Sequence, residues 1–302
     1  MKVFHFDCYP IEKKYHKKTS HRYIKESIQD FISSNGSFTA DIVTGFVYSK
    51  FEPEILKSVK NLKLVITRSI GMDNIDTDFC CSESIKHTNI DYPNHTVAHH
   101  TIALILFHSR KINTFFTKVK KGIFADYQVD CYDLKGKKLG IIGYGKIGKE
   151  VAKLAQCFGL EILVCDRNLD KCEIRDGIKF CDLEGVLRNS DIVSLHCDAN
   201  PSSIGMINRK TIKMMKDGVI LINTARGSII NEKDLLQNIN KFAFVGVDVL
   251  ENENDFKKGH PFLKYSNILI TPHIAYKSEL TTKERWQKTY ECIEKFISQQ
   301  KL

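Results

Sequence analysis

Between Leu139 and Gly148 the chain reads LGIIGYGKIG. The apolar run Leu139 to Ile142 predicts a short buried strand. Gly143, Gly145 and Gly148 follow in G-x-G-x-x-G spacing. From Lys146 to Phe158, apolar residues recur at Ile147, Val151, Leu154 and Phe158, a helical spacing. A strand, a glycine turn and a helix in that order form the first βα unit of a dinucleotide-binding sheet. Gly143 permits the tight turn. Gly145 lets backbone approach a pyrophosphate, and Gly148 lets helix and strand pack closely. The helix N-terminus offers N–H groups and a positive dipole end to phosphates.

An acidic residue sharpens this reading. Glu161 to Cys165 (EILVC) predicts a second strand, and Asp166 ends it, 18 residues after Gly148. A carboxylate about 20 residues on accepts the ribose hydroxyls of a bound nucleotide. It also repels a 2′-phosphate, so NAD is favoured over NADP; Arg167 beside it weakens that preference. The glycines alone would suit an ordinary turn. Strand, helix and acid together decide for a cofactor site.

The length of 302 residues allows two domains. The formal net charge of +9 raises the question of nucleic acid. Yet the lysines are dispersed among acids, and the densest basic run, Lys13 to Lys18, adjoins Glu12. A solvated surface follows, with no nucleic-acid partner. Ten cysteines carry no C-x-x-C pair and no metal-ligand spacing. Cys165 and Cys197 fall in strands, Cys157 and Cys292 in helices, and adjacent Cys80 and Cys81 are poorly placed to pair. Reduced thiols in a cytoplasmic protein and no metal are expected. There is no evident signal peptide and no apolar run of the roughly 18 residues a membrane span needs.

The remaining chain alternates strands and helices. Met1–Asp7, Asp41–Val47, Leu62–Thr67 and His87–Asp91 read as strands. Arg22–Ile32 and Glu52–Val59 read as helices, Pro53 in the first turn of the second. Tyr9–Lys18 reads as a polar loop. RSIGMDNID, Arg68 to Asp76, leaves a strand end, where open α/β folds place ligands, and Asp76 or Asn74 can cap the next helix. Tyr92-Pro93-Asn94 marks a boundary. His95–Lys111 reads as a helix apolar on most faces, hence buried all round. Its His99, His100 and His108 suit satisfied polar residues better than a metal site. A connector runs from Gly122 to Lys137. After Asp166, Leu183–Arg188, Asn208–Lys216 and Asn231–Ile239 read as helices. Asp191–Cys197, Val219–Thr224, Phe244–Leu250 and Ile268–Thr271 read as strands. A last helix, Ser278 to Gln299, places Trp286, Tyr290, Ile293 and Ile297 on one stripe.

The expected fold class is α/β, with two doubly wound open parallel sheets. A Rossmann-type NAD-binding domain, 96–275, is inserted into a flavodoxin-like substrate domain, 1–95 with 276–302. The last helix packs back on the first domain, with crossings near His95 and His273. A cleft between domains is the expected site.

Chemistry needs a substrate clamp and a proton donor, and candidates stand at strand ends. Arg226 follows VILINTA, Glu251 and Glu253 follow FVGVDVL, and His273 follows ILITP. Arg226 offers a planar, always-charged fork for a carboxylate and a keto oxygen. His273 is of the one residue type that exchanges protons near neutral pH without perturbation. An ion pair, a turn cap and a solvated ENEND loop would explain them singly; three on consecutive strand ends after a nucleotide loop favour a site.

INTARGSIINEKDLL, VGVDVLENE and ITPHIAY resemble the signature segments of the D-isomer-specific 2-hydroxyacid dehydrogenase family. With GYGKIG, DIVSLH and RSIGMDNID, the resemblance covers roughly residues 60 to 295. It implies an NAD-dependent oxidoreductase on two α/β domains, acting on a small 2-keto or 2-hydroxy acid, and a homodimer built through the nucleotide domain. Arg226 resembles the substrate-orienting arginine and His273 the acid/base. Glu253, five residues after Asp248, resembles the histidine-paired carboxylate, rather than Glu251. Asp248 would lie near the nicotinamide carboxamide. Lys146, Ile147, His196, Thr224 and Ala225 would join Gly143, Gly145, Gly148 and Asp166 at the cofactor. Ile70 and Gly71 would give backbone N–H groups to the substrate carboxylate. Arg68-Ser69-Ile70-Gly71 and the Ala-Tyr pair after His273-Ile274 are similar to the D-lactate and D-2-hydroxyisocaproate dehydrogenase branch, with Tyr276 walling the pocket. Pyruvate to D-lactate is then the leading reaction. A glyoxylate or hydroxypyruvate reductase, or an NAD(H)-sensing co-repressor-like protein, is the alternative. Three features depart from the family pattern. Asp198 stands where a proline is common, and His99 where a glutamate is. The Tyr-Pro segment is one residue short, which leaves open whether Tyr92 lines the pocket.

Overall fold

The computed structural model describes residues 1–124, 128–167, 174–253 and 256–300, and counts and absences below concern these. The middle of the connector, 125–127, and the end of the acidic ENEND loop, 254–255, lie outside them. The chain forms two compact units, Met1–Pro93 with Lys277–Leu302, and Asn94–Tyr276.

The first unit contains β1 (Val3–His5), β2 (Arg22–Tyr23), α1 (Ile28–Asn35), β3 (Phe38–Thr39), β4 (Ile42–Gly45), α2 (Pro53–Lys57), β5 (Val59–Lys60), β6 (Leu64–Thr67), α3 (Thr77–Ser82) and β7 (Lys86–Asn89). Its main sheet is parallel, in the order β2-β1-β4-β6-β7, and β3 pairs with β5 apart from it. That is the flavodoxin-like order, with one strand to the left of β1 and the rest to the right. A parallel sheet must be covered on both faces, and alternate residues along a strand point to opposite ones. Val43 and Val65 pack with Phe6, Ile28 and Phe51 on one face. Ile42, Leu64 and Ile66 pack with Ile293 and Phe296 of the last helix on the other.

That helix, Glu279–Gln299, is capped by Ser278, whose Oγ accepts from Thr281 N at 3.1 Å. Trp286 and Tyr290 bury against Cys8, and the Arg68 guanidinium lies 4.5 Å from the Trp286 ring centre. From the residue before Trp286, Arg285 Nη2 donates to Glu12 Oε1, both side chains buried.

Two features differ from the expectation here, and the structure adds a placement for Tyr92, which the sequence left open. α1 begins at Ile28, not Arg22. Ile24 N donates to His5 O at 2.7 Å and Cys8 N to Ile24 O at 2.9 Å, which draws the preceding residues into the sheet. Ser27 then caps the helix, accepting from Asp30 N. The expected loop from Tyr9 holds a 3-10 turn, Pro10–Tyr15. Tyr92 packs in the core with Ile90 and Ile293.

The second unit continues with α4 (His95–Ser109), α5 (Ile112–Lys120), β8 (Lys138–Ile142), α6 (Lys146–Cys157), β9 (Glu161–Cys165), β10 (Ile174–Arg175), β11 (Ile178–Phe180), α7 (Leu183–Asn189), β12 (Ile192–Leu195), α8 (Arg209–Met214), β13 (Val219–Asn223), α9 (Glu232–Gln237), β14 (Phe242–Val247) and β15 (Ile268–Ile270). The sheet order is β10-β11-β9-β8-β12-β13-β14-β15, and only β10–β11 is antiparallel. From β11 to β14 this is the Rossmann order 3-2-1-4-5-6. Asp176 (φ 52) and Gly177 (φ 74) turn the β10–β11 hairpin, a two-residue turn that needs both residues left-handed. α4 is not buried all round: His99 and Ala103 are exposed. α5 occupies a stretch where the sequence suggested no element, after a break at Lys111 (φ 50).

Removing one partner of a buried ion pair strands the other charge and costs about 3–5 kcal/mol. Arg285→Met should lower the urea-unfolding free energy by that order, and the double variant Glu12→Leu/Arg285→Met should recover part of it. An unchanged midpoint in the single variant would contradict the role given to this pair.

Candidate active site

The second unit carries most of the expected residues. At the end of β8, Gly143 takes φ +96, and a Cβ there would stand 2.6 Å from Cys197 N. A Cβ on Gly148 would stand 2.2 Å from Gly143 O, so the first turn of α6 lies directly on the loop. At Gly145 a Cβ would meet nothing within 4 Å, which leaves the backbone open to a ligand. Gly145 caps α6 without a side-chain hydrogen bond, and Lys146 and Ile147 form the first turn. The N–H groups at this end therefore suit a phosphate. Tyr144 N donates to Asp166 Oδ2 at 2.7 Å, tying the loop to the end of β9.

A cavity of about 410 Å³ opens here, lined by Gly143, Gly145, Asp166, Arg167, His196 and Asp198 among others. An open glycine face, an uncapped helix end and an acid at the neighbouring strand fit a dinucleotide. His196 Nε2 shares a hydrogen bond of 2.8 Å with Ser194 Oγ, and burial pushes its pKa down to about 3, so it is neutral. Burial pushes the Cys197 thiol up to about 11, which keeps it protonated. Asp198 closes a turn where a proline was expected: its carbonyl accepts from Ser203 Oγ at 2.5 Å and Asn200 Nδ2 at 3.1 Å.

At the end of β13, buried Asn223 organises the next three residues. Its Oδ1 accepts from Ala225 N at 3.0 Å, and its Nδ2 donates to Arg226 O at 2.9 Å. Arg226 Nη1 donates to Ala225 O at 2.8 Å. Thr224 Oγ1 is bonded to Thr101 Oγ1 of α4 at 2.9 Å.

After β15, His273 Nδ1 lies 2.7 Å from Glu253 Oε2, while Glu253 Oε1 accepts from Leu250 N at 3.3 Å. Glu251 is exposed, and its N–H donates to Glu232. His273 takes φ 50, left-handed and uncommon for a residue with a Cβ. Its N–H donates to Asp248 O at 2.9 Å. The Asp248 carboxylate is buried and accepts from Thr271 Oγ1 at 2.5 Å, Ile274 N at 3.0 Å and Ala275 N at 2.8 Å. It is thus engaged in holding the His273 turn. The Tyr276 ring stands edge-on to His273, centres 6.0 Å apart.

Ile70 and Gly71 belong to the first unit, on the loop after β6. Ser69 Oγ donates to Gly71 O and Asn89 Nδ2 to Ile70 O. Among the described residues their own N–H groups make no hydrogen bond. Asn223 and Thr271 went unremarked in the sequence. The available signal was a polar residue at the end of an otherwise apolar run, Asn223 closing β13 and Thr271 following β15.

Among the described residues, no three His, Cys, Asp or Glu side chains gather as a metal site, and no helix is long and apolar enough to cross a membrane.

The family model for the NAD binding domain of D-isomer specific 2-hydroxyacid dehydrogenases matches residues 102–275. A hydroxypyruvate reductase of Blautia hydrogenotrophica is 30% identical over 282 residues, 89% of this chain and 85% of that protein. A D-3-phosphoglycerate dehydrogenase of Archaeoglobus fulgidus is 35% identical over 231 residues, 75% of this chain; the match spans only 44% of that longer protein. Among solved structures, a D-lactate dehydrogenase from Aquifex aeolicus, complexed with NAD and lactic acid, superposes with a TM-score of 0.88 at 30% identity, covering 98% of this chain and 96% of the other.

The contact at Gly148 gives a direct test. Overpacking against backbone costs about 1–3 kcal/mol. Gly148→Ala should lose stability of that order and weaken NADH binding, read by quenching of intrinsic fluorescence. Unaltered stability and affinity would mean that α6 need not lie so close to the loop.

Proposed function

Because the chain belongs to the D-isomer-specific 2-hydroxyacid dehydrogenase family, we propose that it reduces a small 2-keto acid to the D-2-hydroxy acid, pyruvate to D-lactate first. Membership itself makes it an NAD-dependent oxidoreductase acting on the CH–OH group of 2-hydroxy acids. The observation that carries the finer reading is the His273–Glu253 pair at 2.7 Å. A carboxylate only accepts, so the bond keeps a hydrogen on Nδ1 and leaves Nε2 to give a proton to a carbonyl oxygen and to take one back. His273 is the proposed acid/base, and Glu253 orients it. Arg226 holds the substrate carboxylate and carbonyl and fixes which face is presented. In the first unit, Ile70 and Gly71 are the proposed backbone donors to a substrate carboxylate. When bound, the reduced nicotinamide supplies the hydride. Asp166, at the end of β9, supports NAD over NADP.

For pyruvate, support comes from the Ala275-Tyr276 pair after the histidine and from the similarity to a D-lactate dehydrogenase. The second reading, hydroxypyruvate or glyoxylate, is favoured by relatives that carry those reductase names. A panel of 2-keto acids followed at NADH absorbance, with chiral analysis of the product, separates the two. General acid catalysis contributes about 10²–10⁴-fold, so His273→Ala should lose turnover of that order while still binding NADH. Wild-type turnover in that variant would refute the assignment.

The reading extends to a cytoplasmic homodimer. α5 buries none of its residues, and Ile112, Phe116 and Val119 are 48%, 58% and 51% exposed. A clustered apolar helix face of this kind marks an association surface. Wild-type protein should sediment as a dimer at micromolar concentration and Phe116→Glu as a monomer. A monomeric wild type overturns the proposal.

A further inference from the structure

On α4, far in sequence from the strand ends, His100 Nε2 lies 3.0 Å from Thr271 Oγ1 and 3.6 Å from Asp248 Oδ1. Hydrogen-bond logic orders these three groups. Asp248 can only accept, so the Thr271 hydroxyl gives its one proton to Oδ1, at 2.5 Å. Thr271 Oγ1 can then only accept from His100, which places a hydrogen on Nε2. The chain runs one way, from His100 Nε2–H to Thr271 Oγ1–H to Asp248 Oδ1.

Its end point is the turn that carries His273. Asp248 accepts from Ile274 N and Ala275 N, the two residues after His273, and its carbonyl accepts from His273 N. Thr271 O takes a second bond from His273 N at 3.0 Å. The left-handed His273 is therefore pinned on both sides by groups that themselves answer to His100.

We infer that His100 is a positioning residue, which acts through Thr271 and Asp248 to hold the His273 turn in its reactive geometry. Its contacts are with these two groups, and its effect passes through them. Loss of its N–H leaves Thr271 Oγ1 without the donor that fixes its position, so the hydroxyl bond to Asp248 is restrained from one side only. A shift of the order of 1 Å in a positioned group can cost about 10²-fold in rate. The kinetic half of this inference rests on the proposed reductase activity, and the structural half does not.

The experiment compares His100→Leu, His100→Gln and Thr271→Val in the full chain. Three quantities are read: NADH affinity by fluorescence, kcat and KM for the wild type's best 2-keto acid, and hydrogen exchange of the Ile274 and Ala275 amides. His100→Leu and Thr271→Val should lower kcat by about 10- to 100-fold, leave NADH affinity within about twofold, and speed exchange at both amides. His100→Gln keeps an N–H donor and should restore wild-type exchange and most of kcat. Unchanged exchange and kcat in His100→Leu overturn the inference, as does failure of the glutamine to rescue. If the wild type reduces no 2-keto acid, the functional reading falls, and the exchange arm alone decides the coupling of His100 to the turn.

Discussion

At Gly143 the backbone that extends β12 occupies the space that a methyl group would fill. His196 N donates to Ile142 O at 2.7 Å, and Gly143 N donates to Cys165 O at 2.9 Å. These bonds gather the ends of β12, β8 and β9 at one residue. A side chain at 143 would strike the backbone of β12's extension, and one at 148 would strike the carbonyl of Gly143. The close approach sets the entry angle of α6 and, through it, the orientation of the N–H groups of its first turn. It also lies where the strand order reverses, with β9 to one side of β8 and β12 to the other. Crossovers that leave in opposite directions cannot fill the space between them, and the cavity opens at that point.

Further along the sheet, buried polar side chains do what glycine does at β8. Asn223 and Asp248 are both nearly inaccessible. Burying such groups is unfavourable unless each donor and acceptor is matched. Here the matches are the backbone groups of the turn that follows: Ala225 and Arg226 for Asn223, Ile274 and Ala275 for Asp248. Each turn is thereby fixed to a rigid strand rather than left to a loop's own preferences. Arg226 and His273 are the side chains those two turns present. β13 and β15 flank β14, so both are delivered at the same edge of the sheet.

What could be read from the sequence follows from how local its causes are. GYGKIG and Asp166 were legible because steric and dipole requirements act within one βα unit. The pairing of His273 with Glu253, and not Glu251, came only through resemblance, since two residues of loop decide it. α1 was misplaced because Tyr23 and Ile24 are apolar at helical spacing but are claimed by β1, a contact between separated segments. α5 was missed because no residue of it is buried, so no core-facing signal existed beyond its own stripe. The β10–β11 hairpin had its signal, Asp176-Gly177, but the strands were too short to show alternation. The Asp248 clamp was invisible for a different reason. Its three donors lie more than twenty residues downstream, and an aspartate at a strand end reads equally well as a cofactor contact.

The balance at His273 shows why such a clamp is needed. A left-handed residue with a Cβ costs about 1–2 kcal/mol. Hydrogen bonds to a charged group contribute about 1.5–3 kcal/mol each. Asp248 gathers three of them around this turn, so the clamp outweighs the strain even at the low end of that range. The direction of the strain also matters. An extended residue at 273 would carry the chain onward along β15, away from Glu253. The left-handed conformation reverses it, so that Nδ1 reaches the carboxylate and the amides of 274 and 275 fold back onto Asp248. A glycine would adopt the same backbone freely but has no imidazole. The strained φ is therefore the geometric condition for placing a histidine, rather than a bare turn, at this edge of the sheet.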